Sequence, residues 1–270
     1  MWYKNFQPML SAGNQGRSAV AVEVVIPAVE KDLEALPYAI EGVRKNLQHP
    51  IKRIWVVAPD CTTIRQVCEQ SEVCFLEETK VAPLRRDDIL YMVAGKDRSG
   101  WLLQQLIKLN SDCIVETEHF LVLDADTVLI KPCRLEVDGR TVLFAADEYH
   151  RPYYEAYERL IGKKPGSLLS FVCHYMLFER SVLARLRDAI ERRSGKPWAA
   201  AIAAAIDRNE ASGFSEYETY GNFYYELSTG NILRRYSKNC RRDPALLSGS
   251  ARSLGETETE CDSLSFHIYE

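Results

Sequence analysis

No CxxC pair occurs in this 270-residue chain, and its eight cysteines and five histidines nowhere take zinc-finger spacing. A zinc-finger module is excluded. No apolar run reaches 18 residues, and the first residues lack the apolar centre of a secretion signal. Neither a membrane span nor export is expected, and membrane contact should be peripheral at most. No GxGxxG is present, so the dinucleotide fingerprint is missing. Arginine pairs at 85–86, 192–193, 234–235 and 241–242 are scattered, and the net charge is −4. That pattern excludes a nucleic-acid partner. Cys74, Cys113 and Cys173 sit in apolar segments, where a free thiol behaves as a small hydrophobe. Free thiols in a reducing cytoplasm are the expectation.

What is present is an apolar content of 46%, ample for the core of one large α/β domain. The chain is organised around His119–Ile130 (HFLVLDADTVLI). A short β-competent run, Phe120 to Leu123, ends abruptly in Asp124 and Asp126, and a second apolar run follows. Asp124 and Asp126 would stand at the carboxyl end of a buried strand, where open α/β sheets bind ligands. Two acids one residue apart between apolar flanks repel each other and lose hydration. A hard divalent cation with oxygen ligands would relieve both costs. The competing reading is a solvated turn in which Asp caps the next element.

Upstream, 21–27 reads as a strand stopped by Pro27, with a polar loop ending in Asp32 just past it. Leu36, Ile40, Val43 and Leu47 space a helix, 51–58 a second strand, 63–69 a short helix, and 73–76 a third strand. This is the rhythm of a nucleotide-binding half-sheet. In 100–109, Trp101, Leu102, Gln105, Leu106 and Leu109 share one helical face. Gln104 and Lys108 share another, suited to a nucleotide or simply to solvent. Arg98 and Lys131 are further cations flanking these segments. From about 146 the rhythm changes. Tyr149, Tyr153, Tyr154 and Tyr157 crowd around His150 and Arg151, as in sugar-gripping surfaces or ordinary packing. His174 lies in an apolar run, as a core histidine or a ligand. Helices are expected over 181–192 and 198–208. Ser215 and Glu218 form an S-x-x-E capping box, which leaves Glu216 in the first helical turn without a structural task. Either acid suits a general base or a hydroxyl-binding group. Residues 237–262 read as a mobile polar tail, and 264–269 as a last strand carrying His267.

Five stretches then carry a resemblance: VVIPAVEKD (24–32), GWLLQQLIKL (100–109), FLVLDADTVL (120–129), HRPYYEAY (150–157) and FSEYETYGNF (214–223). In this order they resemble the GT-A glycosyltransferases, closest to a little-characterised bacterial group of them. The resemblance implies an α/β, Rossmann-like GT-A fold with a mostly parallel sheet and a helical acceptor-side region. It also implies transfer of a sugar from a nucleoside-diphosphate sugar to an acceptor hydroxyl. It divides the chain into a loose arm (1–18), a donor half (19–145) and an acceptor half (146–270). It assigns Asp124, Asp126 and His267 to Mn²⁺ or Mg²⁺, and Glu216 or Glu218 to catalysis. Asp32, Arg98, Gln104, Lys108 and Asp124 fall on the donor side, Tyr153 and His174 on the acceptor side. SEYE departs from the usual Glu-Asp pair. Two rivals stand beside it. Asp124-Ala125-Asp126 also resembles the first motif of haloacid-dehalogenase phosphohydrolases, with Asp124 as nucleophile and Asp126 as acid/base. A non-catalytic nucleotide-sugar-binding module would keep the fold alone.

Overall fold

The structure is a computed structural model that describes residues 16–167, 169–227, 231–248 and 260–266. The first half runs β1 (Val22–Pro27), α1 (Leu36–Asn46), β2 (Ile51–Ala58), α2 (Thr62–Gln70), β3 (Cys74–Glu77) and α3 (Arg86–Ile89). A small hairpin, β4 (Met92–Val93) with β5 (Lys96–Asp97), precedes α4 (Ser99–Asn110), β6 (His119–Leu123) and β7 (Thr127–Leu129). Then come β8 (Glu136–Val137), β9 (Arg140–Ala145), α5 (Arg151–Ile161), β10 (Tyr175–Glu179), α6 (Arg180–Ser194), α7 (Trp198–Ala205) and α8 (Glu216–Leu227). Strands β11 (Ile232–Tyr236), β12 (Asn239–Arg241) and β13 (Ser263–Ser265) close the described chain.

The central sheet has the order β10-β6-β1-β2-β3. Its members β6, β1, β2 and β3 are parallel, and β10 runs antiparallel on the edge of β6. Both faces are covered. Val24 and Ile26 of β1, with Leu121 and Leu123 of β6, pack with α1 on one side. Val25, Phe120 and Val122 pack with α4 to α8 on the other. Burial on both sides is why these strands are continuous apolar runs rather than alternating ones. The one charge inside β1, Glu23, is buried but accepts from Trp55 Nε1 at 2.8 Å and the Glu116 and Thr117 N–H groups. The chain leaves β1 for β2 and β3 on one side and returns through α4 to β6 on the other. The carboxyl ends of β1 and β6 therefore flank the switch point where such sheets open a crevice.

Helix α1 lies against β7, the strand that follows Asp126. At Gly42 an added Cβ would come within 2.9 Å of the Leu129 carbonyl oxygen and 3.0 Å of its nitrogen. Backbone cannot give way as a side-chain tip can. Gly42→Ala should cost about 1–3 kcal/mol of stability by overpacking, read as a lower urea midpoint with an unchanged m-value.

Several expectations change here. The tyrosine-rich stretch is helix α5, entered through Arg151-Pro152 and closed by Gly162 in the left-handed conformation. The polar tail is structured where described, as β12, a short 3-10 helix over Pro244–Ser248, and β13. Strand β13 pairs with both β12 and β7. Cys240 and Cys261 form a disulfide, which corrects the expectation of free thiols throughout. Residues 16–18 of the expected loose arm are tied down, with Ser18 Oγ donating to Glu136 at 2.5 Å. The two expected halves share one sheet, since β10 pairs with β6. Among the described residues no helix is long and apolar enough to cross a membrane.

Candidate functional site

A cavity of about 290 Å³ opens at the carboxyl ends of β1 and β6. Lys31 and Asp32 enter from the turn after β1, and Asp124 and Asp126 from the turn after β6. Arg98, Trp101, Gln104 and Lys108 come from the start and one face of α4. Glu148 follows β9, Tyr153 belongs to α5, His174 precedes β10, and Glu216 and Tyr217 open α8.

At its floor lies a buried chain of charges. The Lys108 ammonium donates to Asp124 Oδ1 at 2.5 Å and to Glu216 Oε1 at 2.7 Å. It also lies 4.6 Å from the centre of the Tyr217 ring, in cation–π range. Tyr217 OH donates to the same Asp124 oxygen at 2.8 Å. His174 Nδ1 lies 3.0 Å from Asp124 Oδ2, and its Nε2 lies 2.9 Å from Glu148 Oε1. The His174 backbone is held in the left-handed region (φ 63°), and its carbonyl accepts from the Asp124 N–H. A non-glycine residue there costs energy, which the surrounding network must offset.

The network sets the charge states. Burial would disfavour an ammonium at 108, but the two carboxylates override it and keep Lys108 protonated. Burial works against ionised Asp124 too, yet Lys108 and His174 hold its carboxyl well below the usual range. His174 is pushed up to about 10, because its bonds to Asp124 and Glu148 outweigh burial. Glu216 is raised by burial, with Lys108 opposing. Asp32 is pushed up to about 6 by burial, opposed by a bond from the Val29 N–H and reinforced by the charges of Asp126 and Asp124.

Asp32, Arg98, Gln104, Lys108, Asp124, Asp126, Tyr153, His174 and Glu216 thus all line one cavity. Glu218 does not. Its carboxylate lies behind the wall and accepts from Ser170 Oγ (2.8 Å), the Phe171 N–H (3.2 Å) and Asn222 Nδ2 (2.6 Å). The Glu218 N–H does donate to Ser215 Oγ at 3.2 Å, so half of the capping box forms. Lys108 is not on a solvated face; it is 5% exposed. His267 lies outside the described residues. Sequence reasoning missed Glu148 and Tyr217. For Glu148 a signal existed, since Asp147-Glu148 follows β9 as Asp124 follows β6. Tyr217 carries none, because only the rotation of α8 aims it at Asp124.

The donor set tests the expected cation. Both oxygens of Asp124 are spent on Lys108, Tyr217 and His174. Among the described residues no three His, Cys, Asp or Glu side chains converge to hold a metal ion. Of the expected set, Asp124 and Asp126 line the cavity, and His267 lies outside the described residues. The positive charge that the acid pair calls for is met at Asp124 by Lys108 and His174.

A family profile described as "Family of unknown function (DUF6492)" matches residues 31–261. No curated protein matches the chain. Among solved structures, the galactosyltransferase LgtC in complex with donor and acceptor sugar analogues is similar at 14% identity, with a TM-score of 0.48. That match covers 92% of this chain and 87% of LgtC. Mouse xyloside xylosyltransferase 1, in its apo form, is similar at 12% identity and a TM-score of 0.45, covering 92% of this chain and 98% of that one.

Proposed function

The chain belongs to DUF6492, a family of unknown function, and for it we propose transfer of a sugar from a nucleoside-diphosphate sugar to an acceptor hydroxyl on a GT-A-type fold. One observation carries this reading: the switch-point cavity sets Lys31, Arg98 and Lys108 beside Asp32, Asp124, Asp126 and Glu148, with Trp101 and Tyr153 on its walls. Cations stabilise the charge that grows on a departing diphosphate. Carboxylates accept from ribose and sugar hydroxyls, and aromatic rings cover apolar faces of base or sugar. The ordered GT-A-like stretches of the sequence support the same reading.

Lys108 is the fixed cation of the donor side, held by Asp124 and Glu216 so that no reorganisation is needed as charge develops. Arg98, Gln104 and Asp32 complete that side; Tyr153 and His174 face the acceptor. Glu216 is committed to Lys108, and Glu218 is walled off. Glu148, whose side chain is 50% exposed, is therefore the carboxylate we assign to the acceptor hydroxyl. No step in this scheme is routed through a metal ion.

The test is a panel of nucleoside-diphosphate sugars offered to the purified protein, each with Mn²⁺ and with chelator. At least one donor should be bound and slowly hydrolysed, and Arg98→Gln should weaken its binding about tenfold, the loss of one charge-assisted contact. A panel in which no donor binds or turns over sinks the proposal. Hydrolysis of p-nitrophenyl phosphate, lost in Asp124→Asn, would instead favour a phosphohydrolase.

A further inference from the structure

Glu218 is 0% exposed, lies behind the cavity wall and has no task in the scheme above. Burying an acid is costly and is tolerated where donors surround it. The donors to Glu218 come mainly from one segment. Oε2 accepts from Ser170 Oγ at 2.8 Å and from the Phe171 N–H at 3.2 Å. Oε1 accepts from Asn222 Nδ2 at 2.6 Å, one turn along α8. Asn222 Oδ1 in turn accepts from the Ser167 N–H at 3.2 Å. Phe171 also lies on Gly221, where an added Cβ would fall 2.6 Å from its ring. Positions 218, 221 and 222 share one face of α8. Together they fasten the chain that precedes β10 onto that helix.

This fastened chain leads to the His174–Glu148 contact from both ends. The Ser170 carbonyl accepts from the Ala146 N–H at 2.9 Å. Ala146 stands two residues before Glu148, and Ser170 four before His174. Ser170 Oγ also accepts from the Val172 N–H at 3.1 Å. Val172, His174 and Glu148 all line the cavity. At His174 the backbone enters the left-handed region, which the surrounding structure must hold on both sides. On one side the Asp124 N–H and Tyr217 OH donate to the His174 carbonyl. On the other side the hold is Glu218. A carboxylate accepts at both oxygens and donates at neither, so it takes all three donors.

We propose that Glu218 is a positioning residue: through Ser170 and Phe171 it sets where His174 and Glu148 stand in the cavity. That this pair serves an acceptor hydroxyl rests on the function proposed above; that Glu218 sets it does not.

The readout is the ring N–H of His174, followed by NMR in the full chain labelled with ¹⁵N-histidine. A His174→Gln variant assigns its signal. The measurement is made at pH 8, above the value of about 7 to which burial raises Glu218. In the wild type this N–H should exchange slowly, held between Asp124 and Glu148. Glu218→Ala should speed its exchange at least about tenfold, and Glu218→Gln, which keeps an acceptor oxygen, should restore most of the protection. His49 is the control for folding, because its ring donates to the Val20 carbonyl at the other end of the sheet. Unchanged His174 exchange in a folded Glu218→Ala protein overturns the proposal. If that variant does not fold, Ser170→Ala decides by the same readings. It cuts the link from Glu218 to the Val172 N–H, so faster His174 exchange supports the proposal and unchanged exchange overturns it. With a donor that the wild type turns over, Glu218→Ala should lower kcat for transfer about tenfold at unchanged donor KM, and Glu218→Gln should restore it. A raised donor KM at unchanged kcat would put the effect on the donor side and overturn the proposal. A wild type that turns over no donor ends the proposed function and leaves the ring N–H result to decide this one.

Discussion

Lys108→Met should remove about 3–5 kcal/mol of folding free energy and at least about 100-fold of any donor turnover. The stability loss does not measure the worth of the ion pair. It arises because Asp124 and Glu216, with side chains 20% and 1% exposed, would be left facing each other without the ammonium between them. Glu216→Gln alone should cost less, since Asp124 keeps Lys108, Tyr217 and His174. The double variant Lys108→Met/Glu216→Gln should therefore recover part of the stability but none of the turnover. Urea denaturation reads the first and donor hydrolysis the second. Recovery of turnover in the double variant would show that Lys108 serves only to balance Glu216.

The second large effect is a pH dependence of stability. Glu218 is pushed up to about 7 by burial, despite the bonds it accepts from Ser170, Phe171 and Asn222. In the unfolded chain its pKa is about 4.5. A raised acid binds its proton more tightly when folded. Its contribution is fully present below pH 4.5, declines as pH rises, and is lost above pH 7. The difference of some 2.5 pH units corresponds to about 3 kcal/mol. Wild type should therefore lose more melting temperature between pH 5 and pH 8 than Glu218→Gln does. Asp32, raised in the same direction, imposes the same slope on both proteins and cancels in the comparison. Parallel profiles would mean that Glu218 is ionised in the fold at all these pH values.

Much of the frame was legible because buried parallel strands leave plain marks. Val22–Pro27, Ile51–Ala58 and 120–123 are largely apolar stretches cut off by proline or acid, and each falls in a strand of the central sheet. Acids and amides clustered past strand ends, with one face of α4, named most of the cavity. For Lys108 the sequence leaves a nucleotide-side and a solvated reading open. Its burial depends on α8 docking from 108 residues away, and no local pattern in α4 encodes that. Helix α5 carries three tyrosines, which in sequence read equally as a sugar-gripping surface or as packing, and Tyr157 is wholly buried. Glu216 and Glu218 looked interchangeable in sequence. Two residues of helix turn them to opposite sides of the cavity wall.

The 108-residue separation between Lys108 and Glu216 also has a consequence for biosynthesis. At translation rates of about 5–20 residues per second, Glu216 leaves the ribosome roughly 5–20 s after Lys108. During that interval β1, β2, β3 and β6 can already pair, while β10 and α8 are still being made. Asp124 then has Lys108 but not His174 or Tyr217, and the apolar face of α4 has no α8 to cover it. The nascent chain thus passes through a stage with an assembled sheet and an open floor, when chaperone capture is most effective. Closing that floor is the step that converts a folded sheet into a formed site.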